Sequence, residues 1–257
     1  MKRTVFLLII MASIAVGVSA QDAQSIIRAA RDLNKAETVQ SRSRMVITAR
    51  NGGTTERVID QYSKDDANGL SRTVIVFQQP ASVAGTRFLT IETTGASNDQ
   101  WIFLPSLGRV RRIAASEGSG SFMGTDFSYD DISSLSRDAN LDTHTILREE
   151  TLNGRVCYVI ESRPKDSSYV YSRMISWIDK ANSRNYKIEL YDRRNTLVKE
   201  VEFQDYQEIQ SKPTPMRTTM KTLSAGTSTT IHTEIMRYDA VIPESVFTQR
   251  YLETGRP

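Results

Sequence analysis

Apolar and polar residues alternate with a period of two along most of the chain between Arg42 and Tyr238. Such alternation is typical of a strand that buries one face and exposes the other. The alternating segments are short, and turn residues such as Asn51-Gly52 and Asn153-Gly154 lie between neighbouring segments, which indicates hairpins. The pattern therefore predicts an antiparallel meander in which each strand pairs with the next one along the chain.

About a dozen strands are predicted in this way. A sheet of that many twisted strands cannot stay flat and open, so we expect it to curl into a barrel or half-barrel with one face turned inward. A barrel of this size can hold a ligand-sized cavity. The predicted strands lie at residues 45–48, 57–62, 73–77, 87–92, 101–104, 109–113, 144–149, 156–161, 173–178, 186–191, 197–206, 216–222 and 229–238.

The first twenty residues have the pattern of a secretory signal peptide, with basic residues at Lys2 and Arg3, an apolar run behind them and a small-residue site that ends at Ala20. We expect cleavage after Ala20, so that residues 1–20 are the signal peptide and residues 21–257 form one exported, soluble domain. Loss of Lys2 and Arg3 lowers the formal net charge from +3 to +1. The basic isoelectric point therefore says little about partners, and nucleic acid is not expected to be one.

A helix is predicted at the start of the mature domain, over residues 22–34. Asp22 is placed to cap its N-terminus. Its apolar residues have the spacing of one helical face, which suits a helix that covers the open side of a half-barrel. These residues are Ile26, Ile27, Ala30 and Leu33.

The stretch at residues 101–132 departs from simple alternation. It begins with two strand-like runs joined by a Pro-Ser-Leu-Gly turn, which predicts a hairpin. A loop rich in glycine and serine follows at residues 117–124, and it carries Phe122 and Met123 at its tip. Because exposed Phe and Met are easier to explain over an apolar ligand, we interpret this loop as a mobile lid, with an ordinary surface loop as the alternative.

A short helix is predicted behind this loop, with Asp126 at its N-cap and Tyr129, Ile132 and Leu135 at helical spacing. Loop and helix together, over residues 116–135, form the predicted lid. A phosphate-binding loop would need a lysine followed by serine or threonine after its last glycine, whereas threonine and aspartate stand here. The glycines are therefore not interpreted as a nucleotide site.

The sequence resembles the LolA-like and LolB-like periplasmic lipoprotein carriers, and most strongly the branch called outer membrane lipoprotein-sorting proteins. The residues that carry the resemblance are GTRFL at 85–89, WIFLPSLGRVRRI at 101–113, GSFMGTDFSYDD at 120–131, WID at 177–179 and YKIELYD at 186–192. The resemblance implies a mainly β fold, an incomplete antiparallel β-barrel or LolA-like half-barrel, with an N-terminal helix and a short helical lid.

The resemblance also implies a function: a periplasmic carrier that shelters acyl chains of lipoproteins or lipids in an apolar cavity for transfer to the outer membrane. Burial of acyl methylenes supplies affinity without any catalytic group, and a glycine-rich loop suits a site that has to open. The residues expected to line or gate the cavity are Trp101, Phe103, Phe122, Met123, Phe127 and Tyr129.

In the best-known carriers of this family an arginine tethers the lid to the barrel. The candidates for that role here are Arg87, Arg109, Arg111 and Arg112. The last three could equally contact lipid headgroup phosphates, since guanidinium groups match phosphate geometry. A charged strand face in water explains them just as well.

Enzymatic chemistry is not expected, and neither is a cofactor. Only His144 and His232 could serve as bases, each stands within a predicted strand, and neither lies near a Gly-x-Ser-x-Gly elbow. One cysteine and two distant histidines do not make a metal site. Cys157, the one cysteine, is expected to be a buried, inert thiol that forms no internal disulfide.

The partners implied by the resemblance are acyl chains of lipoproteins or phospholipid, an inner-membrane transporter that loads the carrier, and an outer-membrane acceptor. We expect a monomer. The alternative function is an adaptor domain that works with an inner-membrane transporter and carries no cargo of its own. A carrier should contain a deep, mostly apolar cavity, whereas an adaptor should show a filled interior and an exposed apolar patch.

Overall fold

The computed structural model describes residues 20–94, 98–134 and 137–257. The predicted signal peptide, apart from Ala20, lies outside these ranges, and so does Leu135 of the predicted short helix. Within them the chain is mainly β, with few helices and one large antiparallel sheet that is not closed into a barrel.

Thirteen strands form this sheet within the described residues. Every predicted strand is present, and the largest differences are extensions at the strand ends, where turns give no sequence signal. The strands are β1 (Thr38–Thr48), β2 (Thr54–Asp65), β3 (Ser71–Gln79), β4 (Arg87–Ile91), β5 (Asp99–Leu104), β6 (Arg109–Arg112), β7 (Asp142–Leu152), β8 (Arg155–Pro164), β9 (Arg173–Asp179), β10 (Asn185–Tyr191), β11 (Leu197–Ile209), β12 (Lys212–Thr222) and β13 (Thr227–Tyr238).

Two meanders make up the sheet, one from β1 to β6 and the other from β7 to β13. They join where β1 pairs with β13, so the first and last strands meet in the middle of the sheet. The sheet edges are therefore β6 and β7, and these two strands do not pair. The connection between β6 and β7 has to cross the open side of the half-barrel.

One face of the sheet, here called the inner face, carries the largest apolar cluster. Ile102 on β5 and Leu190 on β10 belong to this cluster although many strands separate them in the sheet. Such distant strands share one cluster because the sheet curls around it. The buried strand residues of this inner cluster are Met45, Ile59, Ile75, Phe77, Phe88, Ile102, Leu190, Val201 and Met220.

Helix α1 (Ala20–Asp32) covers the β7 to β9 end of the inner face. Ala23 is fully buried there against Ile160 and Ile178. The prediction of an amphipathic N-terminal helix that covers the half-barrel is confirmed. Asp22, the predicted N-cap, lies within the described helix rather than ahead of its first turn.

The opposite, outer face of β3 to β6 is covered by the chain that follows β13. A 3-10 helix (Glu244–Phe247) and helix α3 (Gln249–Thr254) place Phe247 and Leu252 in a second apolar cluster with strand residues such as Leu89. No helix is predicted from the sequence in this segment, because two helices this short show no measurable periodicity.

Polar contacts fix this C-terminal segment to the sheet. The Arg87 guanidinium donates to the main-chain oxygen of Leu252 at 2.8 Å, and Arg72 pairs with Glu244 at 2.7 Å. The Arg72 guanidinium also stacks over the Phe247 ring at 5.1 Å. The segment is therefore an integral part of the domain.

The C-terminal segment should contribute measurably to stability. Leu252 is 0% exposed, so Leu252→Ala is expected to lower the free energy of unfolding by about 2–5 kcal/mol, as measured by urea denaturation. Leu107→Ala is the matched control, since Leu107 is 53% exposed and its truncation should cost less than about 0.5 kcal/mol. Equal effects of the two substitutions would contradict a packed C-terminal segment.

Candidate functional site

The segment at residues 114–134, here called the plug, runs from the edge strand β6 across the inner face. Its tip is a tight turn in which the Phe122 amide donates to the Phe127 oxygen at 2.7 Å. The Thr125 hydroxyl donates to the Phe122 oxygen at 2.8 Å and closes the same turn from inside. Met123 and Gly124 both have positive φ, which allows the chain to reverse at this point.

The plug fills the apolar part of the inner face. Phe122 is 0% exposed, and its ring lies 5.8 Å from Phe77, 5.1 Å from Phe88 and 5.5 Å from Tyr129, centre to centre. Phe127 and Ile132 are buried in the same inner cluster. The loop predicted to present an exposed apolar tip therefore buries that tip inside the half-barrel.

Two acidic residues of the plug are anchored to strands on the far side of the half-barrel. Asp126 is buried and accepts hydrogen bonds from the hydroxyls of Thr227 and Thr229 on β13, at 2.7 Å for Thr229. Asp131 pairs with Lys199 of β11 at 2.6 Å and accepts from the Tyr171 hydroxyl at 2.7 Å. Both carboxylates thus obtain the partners that burial demands.

Helix α2 (Tyr129–Ser133) follows the plug's turn, and Ser128 caps it. The Ser128 hydroxyl accepts from the Asp131 amide at 3.0 Å, while the Asp131 carboxylate accepts from the Ser128 amide at 2.7 Å. This reciprocal pair is a capping box. The short helix is confirmed, but the prediction that Asp126 caps it is wrong, because Asp126 turns to β13 instead.

A third anchor comes from Arg57 of β2. Its guanidinium donates to the main-chain oxygen of Met123 and lies 5.7 Å from the centre of the Phe77 ring. Burial lowers the pKa of Arg57. Arg57 was not predicted as a site residue, although its position two residues before Ile59 places both side chains on the same strand face.

The four predicted arginines differ in their contacts. Arg87 contacts the C-terminal segment, and Arg112 pairs with Asp99. Arg109 is exposed. Arg111 is the one that reaches the plug, where it pairs with Glu117 at 2.7 Å.

The predicted cavity-lining residues divide between the two faces. Phe122, Met123, Phe127 and Tyr129 pack in or against the inner cluster. Trp101 and Phe103 pack on the outer face, in the cluster covered by the C-terminal segment. Their prediction as inner-face residues is therefore corrected: a shift of one residue in the assumed facing moves a side chain to the other side of a strand.

An open cavity of about 640 Å³ lies on the inner face beside the plug. Ile132 of the plug lines this cavity and is at the same time a member of the inner cluster. The prediction of a mostly apolar cavity needs correction, since the apolar part of the inner face is occupied by the plug and the open part is polar. Strand residues that line the open part include Ser41, Ser43, Gln61, Ser63, Thr73 and Thr90.

The groups considered for other chemistry have structural roles. His144 is buried, and its ring nitrogens contact the Ser162 hydroxyl at 2.7 Å and the Ala139 oxygen at 2.9 Å. Cys157 is a buried free thiol whose pKa is raised by burial, as predicted. Among the described residues, no group of three metal-ligating side chains converges and no helix is long and apolar enough to cross a membrane.

Comparison with known proteins identifies the relatives of this half-barrel. A protein-family model described as an uncharacterized protein matches residues 69–254. The chain belongs to this family. Comparison with curated proteins gives no match.

Solved structures match over nearly the whole chain. A DUF1329 family protein from Desulfovibrio piger is 28% identical, covers 91% of this chain and 98% of its own, and has a TM-score of 0.86. A domain from Vibrio parahaemolyticus, described as an outer membrane lipoprotein-sorting protein domain, is 28% identical, covers 91% and 100%, and has a TM-score of 0.84. A LolA superfamily protein from Nitrosomonas europaea shares the fold at 22% identity, 89% and 98% coverage and a TM-score of 0.73. The resemblance to lipoprotein-sorting proteins is confirmed.

The Asp131–Lys199 pair should dominate the attachment of α2. Lys199→Met removes the cation and leaves a buried carboxylate, which is expected to cost about 3 kcal/mol and to speed hydrogen exchange at plug amides. Lys221→Met is the control, because Lys221 and Glu202 form a partly exposed pair worth less than about 1 kcal/mol. The double variant Asp131→Asn, Lys199→Met should recover part of the loss, and no recovery would contradict the pairing.

Asp130 should make stability depend on pH. Burial, followed by the nearby Asp131 carboxylate, raises the pKa of Asp130. Its ionised form therefore destabilises the fold at neutral pH, and this penalty disappears below the ordinary carboxyl pKa of about 4. Asp130→Asn is expected to raise the urea midpoint at pH 7, with a gain that shrinks to zero near pH 4.

Asp66→Asn provides the opposite control for this measurement. Main-chain hydrogen bonds, the strongest from Leu70, lower the pKa of Asp66. Its replacement should therefore lower the urea midpoint at pH 7 instead of raising it. A gain from Asp130→Asn that stays constant between pH 7 and pH 4 would show that the carboxylate charge is not its cause.

Proposed function

We propose that the chain is a periplasmic carrier that shelters acyl chains of lipoproteins or lipids on the inner face of its half-barrel and transfers them to the outer membrane. The observation that carries the proposal is the burial of Phe122 against Phe77 and Phe88. The inner face thus has an apolar surface of the kind an acyl chain needs, and a segment of the same chain covers it.

An acyl chain can replace the plug because both bury apolar surface on the inner face. Departure of the plug exposes aromatic surface on Phe122 and Phe127, while each acyl methylene that takes its place contributes about 0.8 kcal/mol. One or two acyl chains therefore supply enough free energy to displace the plug without any catalytic group. Release reverses the exchange, because the plug returns to the same surface.

The plug's anchors suit repeated opening. Asp126 and Arg57 hold the tip through hydrogen bonds that water can replace once the tip has moved. Gly118 lies at the base of the plug, where an added Cβ would stand 2.2 Å from the Asp130 carboxylate. This close approach lets the base of the plug fold tightly under α2.

The proposed carrier has a partner protein in each membrane. An inner-membrane transporter loads the carrier and an outer-membrane acceptor receives the cargo, while the carrier itself acts as a monomer exported by its signal peptide. The similarity to the lipoprotein-sorting domain from Vibrio parahaemolyticus supports cargo of this kind. Nothing in this function requires a cofactor or nucleic acid.

A cysteine pair can test whether the plug has to leave. The Asp126 carboxylate and the Thr229 hydroxyl lie 2.7 Å apart, so Asp126→Cys with Thr229→Cys should form a disulfide that locks the plug to β13. The oxidised variant is expected to lose at least tenfold in affinity for a fluorescent diacyl lipid, and reduction should restore binding. Thr229→Cys alone, treated with the same oxidant, is the control. Unchanged binding by the locked protein would contradict plug displacement.

Native mass spectrometry of the purified mature chain, with organic extraction of any bound molecule, distinguishes the carrier from the adaptor. Stoichiometric lipid or acylated peptide supports a carrier and identifies the class of cargo. An empty protein that also refuses added phospholipid and lipopeptide would overturn the carrier proposal in favour of an adaptor for an inner-membrane transporter.

A further inference from the structure

The inner face changes from apolar to polar along the strands. On β4 the apolar residue Phe88 is followed two positions later by Thr90, and on β5 the apolar residue Ile102 follows Gln100. On β3 the same change separates Thr73 from Ile75 and Phe77. Because residues two apart share a face, each strand carries apolar side chains under the plug and polar ones beyond it.

The polar residues align across four neighbouring strands. Ser63 on β2 pairs with Thr73 on β3, Thr73 pairs with Thr90 on β4, and Thr90 pairs with Gln100 on β5. The Ser63 and Thr73 hydroxyl oxygens lie 2.8 Å apart. This alignment is a polar ladder at the floor of the 640 Å³ cavity, which Ser63, Thr73 and Thr90 line.

The far end of the ladder has unused hydrogen-bonding capacity. Thr90 is 5% exposed and Gln100 is 4% exposed. Within the described part of the chain, the Thr90 hydroxyl and the Gln100 carbonyl oxygen have no hydrogen-bond partner. Both atoms are shielded from solvent with the plug in place. Buried polar atoms rarely lack a partner, so the Thr90 hydroxyl, on a residue that lines the cavity, points to a polar ligand that reaches it when the plug moves.

The charge distribution restricts the chemistry of that ligand. The ladder carries hydroxyl and amide groups, whereas the charged lining residues Lys35, Glu37 and Asp65 are exposed and Lys64 and Glu92 are half-buried. A phosphate bound to the ladder itself would lose its hydration and gain contacts with hydroxyl and amide groups only. Hydroxyl groups both donate and accept, so they match a group that is itself rich in hydroxyls.

We propose that this compartment binds the uncharged, hydroxyl-rich headgroup, a sugar or polyol, of an amphiphile whose acyl chains take the place of the plug. The proposal rests on the proposed function and names the class of its cargo. Ile132 connects the two compartments, since it packs in the inner cluster and also lines the cavity. Displacement of the plug therefore joins an apolar and a polar site into one amphiphilic site, and the cavity volume of about 640 Å³ is within the usual range for ligand pockets.

Lipids with identical acyl chains and different headgroups test this inference. The probes are diacylglycerol, digalactosyldiacylglycerol, phosphatidic acid and a diacyl lipopeptide, each measured by displacement of a fluorescent diacyl probe from delipidated wild-type protein. We expect the digalactosyl lipid to bind at least tenfold more tightly than phosphatidic acid and the lipopeptide. Equal binding of all four lipids, or preference for phosphatidic acid or the lipopeptide, would overturn the headgroup proposal and leave the carrier function intact.

Variants without the hydroxyls locate the effect. Thr73→Val with Thr90→Val keeps side-chain volume and is expected to weaken the digalactosyl lipid about tenfold while diacylglycerol binding stays unchanged. Thr55→Val, at an exposed position of β2, is the control. Because one removed hydroxyl is unpartnered, the double variant should fold, and urea denaturation checks this. An undiminished advantage of the digalactosyl lipid in a folded double variant would place the headgroup elsewhere and overturn the proposal.

Two further results distinguish a site for a free sugar from failure of the carrier function. Soluble digalactosylglycerol should bind weakly, and binding as tight as that of the intact lipid would assign the compartment to a free sugar and overturn the headgroup proposal. Failure of all acylated probes, diacylglycerol included, would instead overturn the carrier function itself. The two failures are thus distinguishable within one titration series.

Discussion

The apolar inner face of an unclosed sheet has to be covered, and the rest of the structure depends on how this is done. Hydrogen bonding runs without interruption from β6 to β7, but these two edge strands do not meet. Their connection has to cross the gap, and it places Phe122 and Phe127 in the inner cluster as it does so. Topology therefore makes one segment both the link between the two meanders and the cover of the inner face.

The plug combines two kinds of contact with different consequences. Its aromatic centre is stabilised by burial and ring packing, which depend little on orientation and can be exchanged for other apolar groups. Its polar anchors are the Asp126 carboxylate, which accepts from a β13 hydroxyl, and the Asp131 carboxylate, which pairs with Lys199. They fix where the plug lies, because each buried charge is costly unless it meets its own partner. In the proposed carrier, the first kind of contact permits exchange with cargo and the second defines the closed state.

The inner face of the half-barrel has a polar part as well as an apolar one. A cavity for acyl chains alone would need no ladder of Ser63, Thr73, Thr90 and Gln100 beyond the apolar surface. Burial of a hydroxyl group costs free energy unless it is hydrogen-bonded. Buried hydroxyls beside an apolar surface therefore suit a ligand that has both an apolar and a polar part. On the outer face near the C-terminal segment, Leu89 and Leu252 belong to one apolar cluster.

Local sequence determined the strands, the hairpins and the N-terminal helix, because periodic patterns and turn residues act over a few positions. It also placed Phe122 and Tyr129 in the segment that covers the inner face. Tertiary structure alone decided that β1 pairs with β13, that Trp101 faces the C-terminal segment and that Arg57 reaches the plug. Alternation states that two faces differ without stating which one is inner, and these contacts join residues far apart in the chain. Only the folded sheet brings such residues together.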